Sequence, residues 1–113
     1  MKVNELAEGL SLECLYEGDG EREVEGCYCG DLLSWVMGRA SAGDAWVTIM
    51  SNVNVAAVAA LADVACVILA EGVEPDEALR GRFERLDCAV FRSGMAAYEL
   101  AWRIHGLLEG RQE

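Results

Sequence analysis

The chain has 113 residues, of which 53% are hydrophobic and 26% are charged. This length fits one domain, and the apolar fraction is high enough to bury a core, so neither a two-domain protein nor a disordered chain is expected. Twenty acidic residues against nine basic ones give a net charge of -11, which repels nucleic-acid phosphates and anionic lipid headgroups.

The N-terminal segment predicts a short helix followed by two strands. Apolar residues recur at helical spacing over Val3–Leu10, which predicts a lid helix. Ser11–Tyr16 and Glu23–Cys29 alternate between apolar and polar residues, as half-buried strands do. The turn-forming residues 17–20 lie between them.

The next unit predicts a helix and a buried strand. Asp31 is placed to cap the first turn of the helix, which ends at Gly38. Ala45–Met50 is a nearly continuous apolar run, which is typical of a strand covered on both faces. The helix residues predicted to face inward are Leu32, Leu33, Val36 and Met37.

A second helix and the central strand follow. Ser51 and Asn52 are natural caps for an alanine-rich helix that runs through Leu61 and closes at Asp63. Ala65–Ala70 carries three consecutive large aliphatic residues between turn signals and is the most strand-like segment of the chain. It is therefore expected at the centre of the sheet.

The last third predicts a helix, a strand and a long terminal helix. Pro75 stands where a helix begins, and Asp87–Phe91 is the final strand. Ser93 and Gly94 open a helix that reaches Leu108, and residues 109–113 are expected to fray. The alternation of helix and strand predicts a single α/β domain over residues 1–113, with a mostly parallel sheet flanked by helices on both faces.

Three segments together resemble a known family. They are Gly26–Ser34, Gly43–Ile49 and Ala65–Pro75, and in order and spacing they resemble the DRTGG domain, in its stand-alone form, over nearly the whole chain. The resemblance implies a fold similar to the N-terminal domain of HPr kinase, a non-catalytic role and frequent dimerisation. Relatives often carry Thr-Gly-Gly after the central strand, where this chain has Ala70-Glu71-Gly72. The chain lacks a phosphate-binding Gly-x-x-x-x-Gly-Lys-Ser/Thr loop, so the kinase activity does not transfer.

Polar residues follow the predicted strands at one edge of the sheet. In parallel sheets this edge is where ligands bind, so a small-molecule site, for a mononucleotide or another effector, is a hypothesis. Caps for the following helices explain Ser51, Asn52 and Ser93 equally well. Asp31 and Glu71 repel a phosphate whereas Arg92 attracts one, which leaves the ligand's charge open. The candidate binding residues are Asp31, Ser51, Asn52, Asn54, Glu71, Gly72, Arg92 and Ser93.

Cysteine and histidine offer little chemistry. Cys27 and Cys29 share one face of a predicted strand, which suits either metal or redox chemistry or two small buried hydrophobes. No second pair stands at a zinc-ligand spacing, and His105 has no identifiable nucleophile, so we expect no metal, no cofactor and no enzymatic activity. Five cysteines, with no signal peptide or bilayer span, indicate reduced thiols in the cytoplasm.

The terminal helix carries two apolar stripes. The inner stripe is predicted to cover the sheet, and it comprises Ala97, Leu100, Ala101, Ile104, Leu107 and Leu108. The outer stripe comprises Met95, Tyr98, Trp102 and His105. Exposed aromatic residues are typical interface anchors, so the outer stripe predicts a homodimer, with Trp35 of the earlier helix joining it. The alternative is that the N-terminal helix covers the outer stripe within one chain.

These features predict a regulatory or interaction module that self-associates and senses a small ligand for a partner protein, such as a sensor kinase or a metabolic enzyme. The alternative is a nucleotide-like ligand-binding domain that acts without an obligatory protein partner. The acidic N-terminal quarter reads either as a solvated face or as a docking patch for a basic partner. Neither nucleic acid nor membrane is an expected partner.

Overall fold

A five-stranded sheet forms the centre of the computed structural model, which describes residues 1–110. In space the strands lie in the order β1-β5-β4-β3-β2. All neighbouring pairs are parallel except β1, which is antiparallel to β5. The mostly parallel sheet is therefore confirmed, and the strand predicted to be central is the middle one. The strands are β1 (Glu13–Tyr16), β2 (Gly26–Cys29), β3 (Asp44–Thr48), β4 (Cys66–Leu69) and β5 (Ala89–Arg92).

Helices cover both faces of the sheet, as predicted. The helices are α1 (Val3–Gly9), α2 (Leu33–Arg39), α3 (Asn54–Ala62), α4 (Glu77–Arg80) and α5 (Ala97–Leu108), with a 3₁₀ turn at Phe83–Arg85. One core lies between the sheet and the pair α1 and α5. A second core lies between the sheet and α2, α3, α4 and the 3₁₀ turn.

The middle strands hold the two cores together. Every residue of β3 and β4 is buried, because each strand is covered on both faces. Side chains alternate between the cores, so Val47 joins the first and Trp46 the second. The indole N–H of Trp46 donates a 2.9 Å hydrogen bond to the carbonyl of Gly30, which ties the end of β2 to β3.

The two N-terminal strands are shorter than predicted and lie at opposite edges of the sheet. The chain between them crosses the end of the sheet, where Arg22 donates to the carboxylate of Asp63 at 2.8 Å and to its carbonyl at 2.9 Å. This hydrogen bond lowers the pKa of the Asp63 carboxyl. Asp63 closes α3 in a left-handed conformation, as predicted for the end of that helix.

Two helices differ from the sequence prediction. Leu32 and Met37 were expected inside but are exposed, since the two-turn helix α2 buries only a narrow arc around Val36. The helix after Pro75 is a single turn, capped by the Asp76 carboxylate at the N–H of Leu79.

The terminal helix begins later than predicted. Its first residue is Ala97, because the residues after Ser93 form a turn before it. The frayed tail predicted for residues 109–113 lies in part outside the described residues, which end at 110.

Candidate functional site

Asp31, predicted both as a cap and as a ligand residue, is a structural acceptor. Its Oδ1 accepts hydrogen bonds from the Thr48 hydroxyl at 2.8 Å and from the N–H of Ile49 at 2.9 Å. It does not cap α2, whose first turn has no side-chain cap. Asp31 therefore joins the end of β2 to the end of β3, and this oxygen is already engaged.

Arg92 braces the sheet edge at which a ligand was predicted. Its guanidinium donates to the carbonyls of Gly72 at 2.8 Å and Val73 at 3.1 Å, and to the carboxylate of Glu13 at 2.9 Å. These bonds join the loop after β4 to β1 on the far side of β5. The three side-chain nitrogens thus already donate within the chain, which leaves little capacity for an anion.

Glu71 supplies the N-terminal cap of α5 from a distant loop. Its carboxylate accepts the N–H of Ala97 at 3.1 Å, and its own N–H donates to the carbonyl of Met95 at 2.9 Å. Ser93 accepts from the N–H of Met95 at 3.0 Å, inside the turn that precedes the helix. A carboxylate of the chain itself therefore stands where the positive end of α5 would attract an anion.

The three remaining candidate binding residues lie at the start of α3 or just before it, and they are Ser51, Asn52 and Asn54. Asn52, predicted as a cap, accepts the N–H of Asn54 at 2.9 Å and lies one residue before the observed N-cap, Val53. Ser51 contributes its carbonyl, which accepts the N–H of Asp76. Asn54 is exposed and lines a groove of about 260 Å³ between α3 and the 3₁₀ turn. Asn54 is the one predicted residue that borders this groove.

Two arginines, which were not among the candidate binding residues, also line this groove. Arg82 and Arg85 form no salt bridge with any carboxylate in residues 1–110. Most other described cations are engaged: Lys2, Arg22, Arg80, Arg92 and Arg103 are ion-paired, and Arg39 stacks on Trp35. This groove therefore carries two positive charges that no carboxylate of residues 1–110 neutralises, although the chain as a whole is acidic.

The outer face of α5 is aromatic and uncovered by the described chain. Tyr98 is 83% exposed and Trp102 is 56% exposed, while His105 lies on the same side of the helix. The structure contradicts the alternative in which α1 covers the outer stripe. Helix α1 approaches α5 at Leu107, which belongs to the inner stripe.

Two residues predicted for this face lie elsewhere. Met95 precedes α5 and packs against the core beneath it. Trp35 belongs to α2 on the opposite face of the sheet, where the guanidinium of Arg39 lies 3.7 Å from the centre of its ring. We therefore define the aromatic face of α5 as Tyr98, Trp102 and His105 only.

Comparison with known proteins decides the family. A family model for the DRTGG domain matches residues 5–107, which is nearly the whole chain. The chain belongs to the DRTGG domain family. Domains of this family are generally regulatory, nucleotide-binding modules rather than catalytic ones. No curated protein sequence matched the chain.

The turn after β4 of this DRTGG domain has an unusual backbone. Glu71 and Gly72 both have positive φ, at 60° and 75°, a region that glycine enters without strain. Because the carboxylate of Glu71 caps α5, the turn after β4 carries an internal anion.

A larger groove of this DRTGG domain lies between α1 and β1. It measures about 600 Å³ and is lined in part by Asn4, Glu8, Glu17 and Phe91. Its carboxylates disfavour phosphate, so it does not suit the same ligands as the groove beside α3. It belongs to the acidic N-terminal quarter for which a basic partner was one interpretation.

Cys27 and Cys29 are not two buried hydrophobes, which was one of the two interpretations of the pair. Cys29 is exposed and Cys27 is half-buried, because β2 is an edge strand. Their sulfur atoms are 3.9 Å apart. The hydrogen bond between the thiols lowers the pKa of Cys29 and raises the pKa of Cys27, which is raised further by burial.

Residues 1–110 contain neither a cluster of three metal-ligand side chains nor a membrane-spanning helix. No three His, Cys, Asp or Glu side chains come together as a multidentate metal site would need. None of the helices in the same part of the chain has the length and apolar character to cross a bilayer.

Proposed function

We propose that this DRTGG domain is a non-catalytic regulatory module that self-associates through the aromatic face of α5 and reports a small ligand to a partner protein. The observation that carries the first part is the exposure of Tyr98 and Trp102 on one side of a helix whose other side is packed on the sheet. Tyrosine and tryptophan dominate the binding energy of protein interfaces.

A second copy of the chain fits this face best. Glu99 and Arg103 pair at 2.8 Å on the same helix, so this pair adds no net charge to the repulsion between two acidic chains. The resemblance to dimerising relatives points the same way. The partner protein, of the sensor-kinase or metabolic-enzyme class, then contacts the remaining surface of the dimer.

Trp102→Glu is expected to convert the dimer to a monomer. Loss of a central aromatic contact costs at least about 2 kcal/mol, which weakens dimerisation by roughly 30-fold before charge burial is added. Leu61→Glu is the matched control, because Leu61 is 75% exposed on α3 and lies on the other face of the sheet. Light scattering should give the mass of one chain for Trp102→Glu and of two for Leu61→Glu. Equal masses for Trp102→Glu and wild type would rule out this interface.

A second candidate function is nucleotide-like ligand binding without an obligatory protein partner. The groove beside α3 favours ligand binding, because Arg82 and Arg85 line it together with Asn54 and with apolar residues of α3. A phosphate can bind the guanidinium groups while an apolar ring lies against Ala56 and Ala57. In this proposal the ligand lies next to the predicted strand-end residues rather than on them.

Thermal unfolding with AMP, ADP, ATP and unphosphorylated adenosine tests this groove. A phosphorylated ligand at 100 times its dissociation constant adds about 2.7 kcal/mol to stability, a shift of several degrees. Arg82→Ala and Arg85→Ala should each weaken binding by about 10-fold or more, since a charged hydrogen bond contributes about 1.5–3 kcal/mol. Arg80→Ala is the control, because Arg80 pairs with Glu74 outside the groove. Equal shifts in all three variants would contradict the site.

A further inference from the structure

The Cys27–Cys29 pair is a cluster that the proposed function does not use. On a strand, residues two apart share one face, and here the two sulfur atoms lie 3.9 Å apart while Tyr28 between them packs toward the opposite core. β2 is an edge strand, and the Cys29 thiol is exposed. A small ion can therefore reach the Cys29 sulfur from solvent, and the half-buried Cys27 sulfur lies beside it.

The sulfur separation is close to that of two thiolates on one metal ion. At a metal–sulfur distance of about 2.3 Å, two sulfurs are about 3.8 Å apart at a tetrahedral angle and about 4.6 Å apart when they lie in line with the ion, the arrangement that two ligands alone favour. From 3.9 Å, the pair must therefore open by up to about 0.7 Å to hold an ion between two thiolates. A disulfide requires the sulfurs to close to about 2.05 Å, and residues two apart on a strand have Cα atoms about 6.6 Å apart, near the upper limit for disulfides.

The ligand set selects the type of ion. Within residues 1–110 no third His, Cys, Asp or Glu completes a group with the pair, whereas structural zinc takes four protein ligands. One oxygen of the nearby Asp31 carboxylate already accepts hydrogen bonds from Thr48 and Ile49. Thiolates select soft ions, and Cu(I) is the soft ion that accepts as few as two of them.

We propose that Cys27 and Cys29 form a two-thiolate binding site for Cu(I). On binding, each thiol releases its proton to solvent and each sulfur forms one bond to the ion, so no electron is transferred. The second sulfur binds at a high effective concentration because both lie on one strand.

Competition for Cu(I) tests the site. The reduced protein is titrated under nitrogen with Cu(I) held by the chelator bicinchoninate, with ascorbate as reductant, and native mass spectrometry counts the bound ions. Wild type should bind one ion. Cys27→Ser and Cys29→Ser should each weaken binding by about 10²- to 10⁴-fold, because the chelate effect is lost.

Cys14→Ser is the matched control, since Cys14 is an exposed cysteine on the opposite edge strand. It should bind Cu(I) as tightly as wild type. Cys29→Ser changes only an exposed side chain, and circular dichroism should show that it keeps the fold. Equal affinity of wild type and both single variants, or an equal loss in Cys14→Ser, would overturn the proposal. A protein whose mass is lower by two hydrogens and that binds no copper would also overturn the proposal, because the two cysteines then form a disulfide.

Discussion

Trp46→Ala is expected to lower the free energy of unfolding by about 3–5 kcal/mol. Trp46 is fully buried on β3 and is the largest side chain in the core beneath α2 and α3. Alanine leaves a cavity, because the two flanking strands are hydrogen-bonded to β3 and cannot collapse into it. The carbonyl of Gly30 also loses the indole donor.

Trp46→Phe separates the two contributions. Phenylalanine keeps most of the ring volume but donates no hydrogen bond. It should cost at most about 1–3 kcal/mol, the penalty for an unpaired buried carbonyl, because the carbonyl of Gly30 is only partly buried. Urea unfolding followed by circular dichroism measures both variants. A loss below about 1 kcal/mol in Trp46→Ala would mean that the side chain is not the anchor of this core.

Leu100→Ala is expected to cost about 2–5 kcal/mol and to weaken self-association as well. Leu100 is fully buried and fixes α5 to the sheet together with Ile104. The proposed interface lies on the other side of the same helix, so a loosened α5 presents its aromatic residues in several orientations rather than one.

Tyr98→Ala is the matched control for this prediction. Because Tyr98 is exposed on α5, the variant should unfold within about 0.5 kcal/mol of wild type at concentrations where the chain is monomeric. It should nevertheless dimerise more weakly. If both variants lose the same stability in the monomer, the inner and outer sides of α5 do not have the separate roles assigned to them.

The sheet could be predicted from the sequence because its central strands carry a local signal. Ala45–Thr48 and Ala65–Ala70 are apolar runs between turn residues, and burial on both faces is what such runs indicate. The placement of β1 and β2 could not be predicted. Alternating strands separated by a turn look like neighbours, whereas their edge positions depend on pairing with β5 and β3, which are distant in sequence.

The polar site illustrates the same limit. The residues predicted at the strand ends do gather there, but the partners of Asp31, Glu71 and Arg92 come from other loops and strands, so spacing could not reveal that they are occupied. One available signal was missed. Neither Arg82 nor Arg85 has an acidic residue three or four positions away, unlike Arg80 and Arg103, and both remain without an ion pair in the described chain.

The exposed stripe of α5 was predictable because helical spacing alone fixes which residues share a side. Tyr98, Trp102 and His105 recur at intervals of four and three, and the structure leaves all three exposed. Met95 could not be excluded from that stripe by spacing. It lies outside the helix only because the chain turns at Ser93 before α5 begins.

Sedimentation equilibrium of the wild-type chain at micromolar concentration tests most directly whether this DRTGG domain presents α5 to a second copy of itself. We expect a mass of two chains that falls toward one on dilution, with the concentration dependence of a single dimerisation equilibrium. A mass of one chain across the whole concentration range would contradict the account.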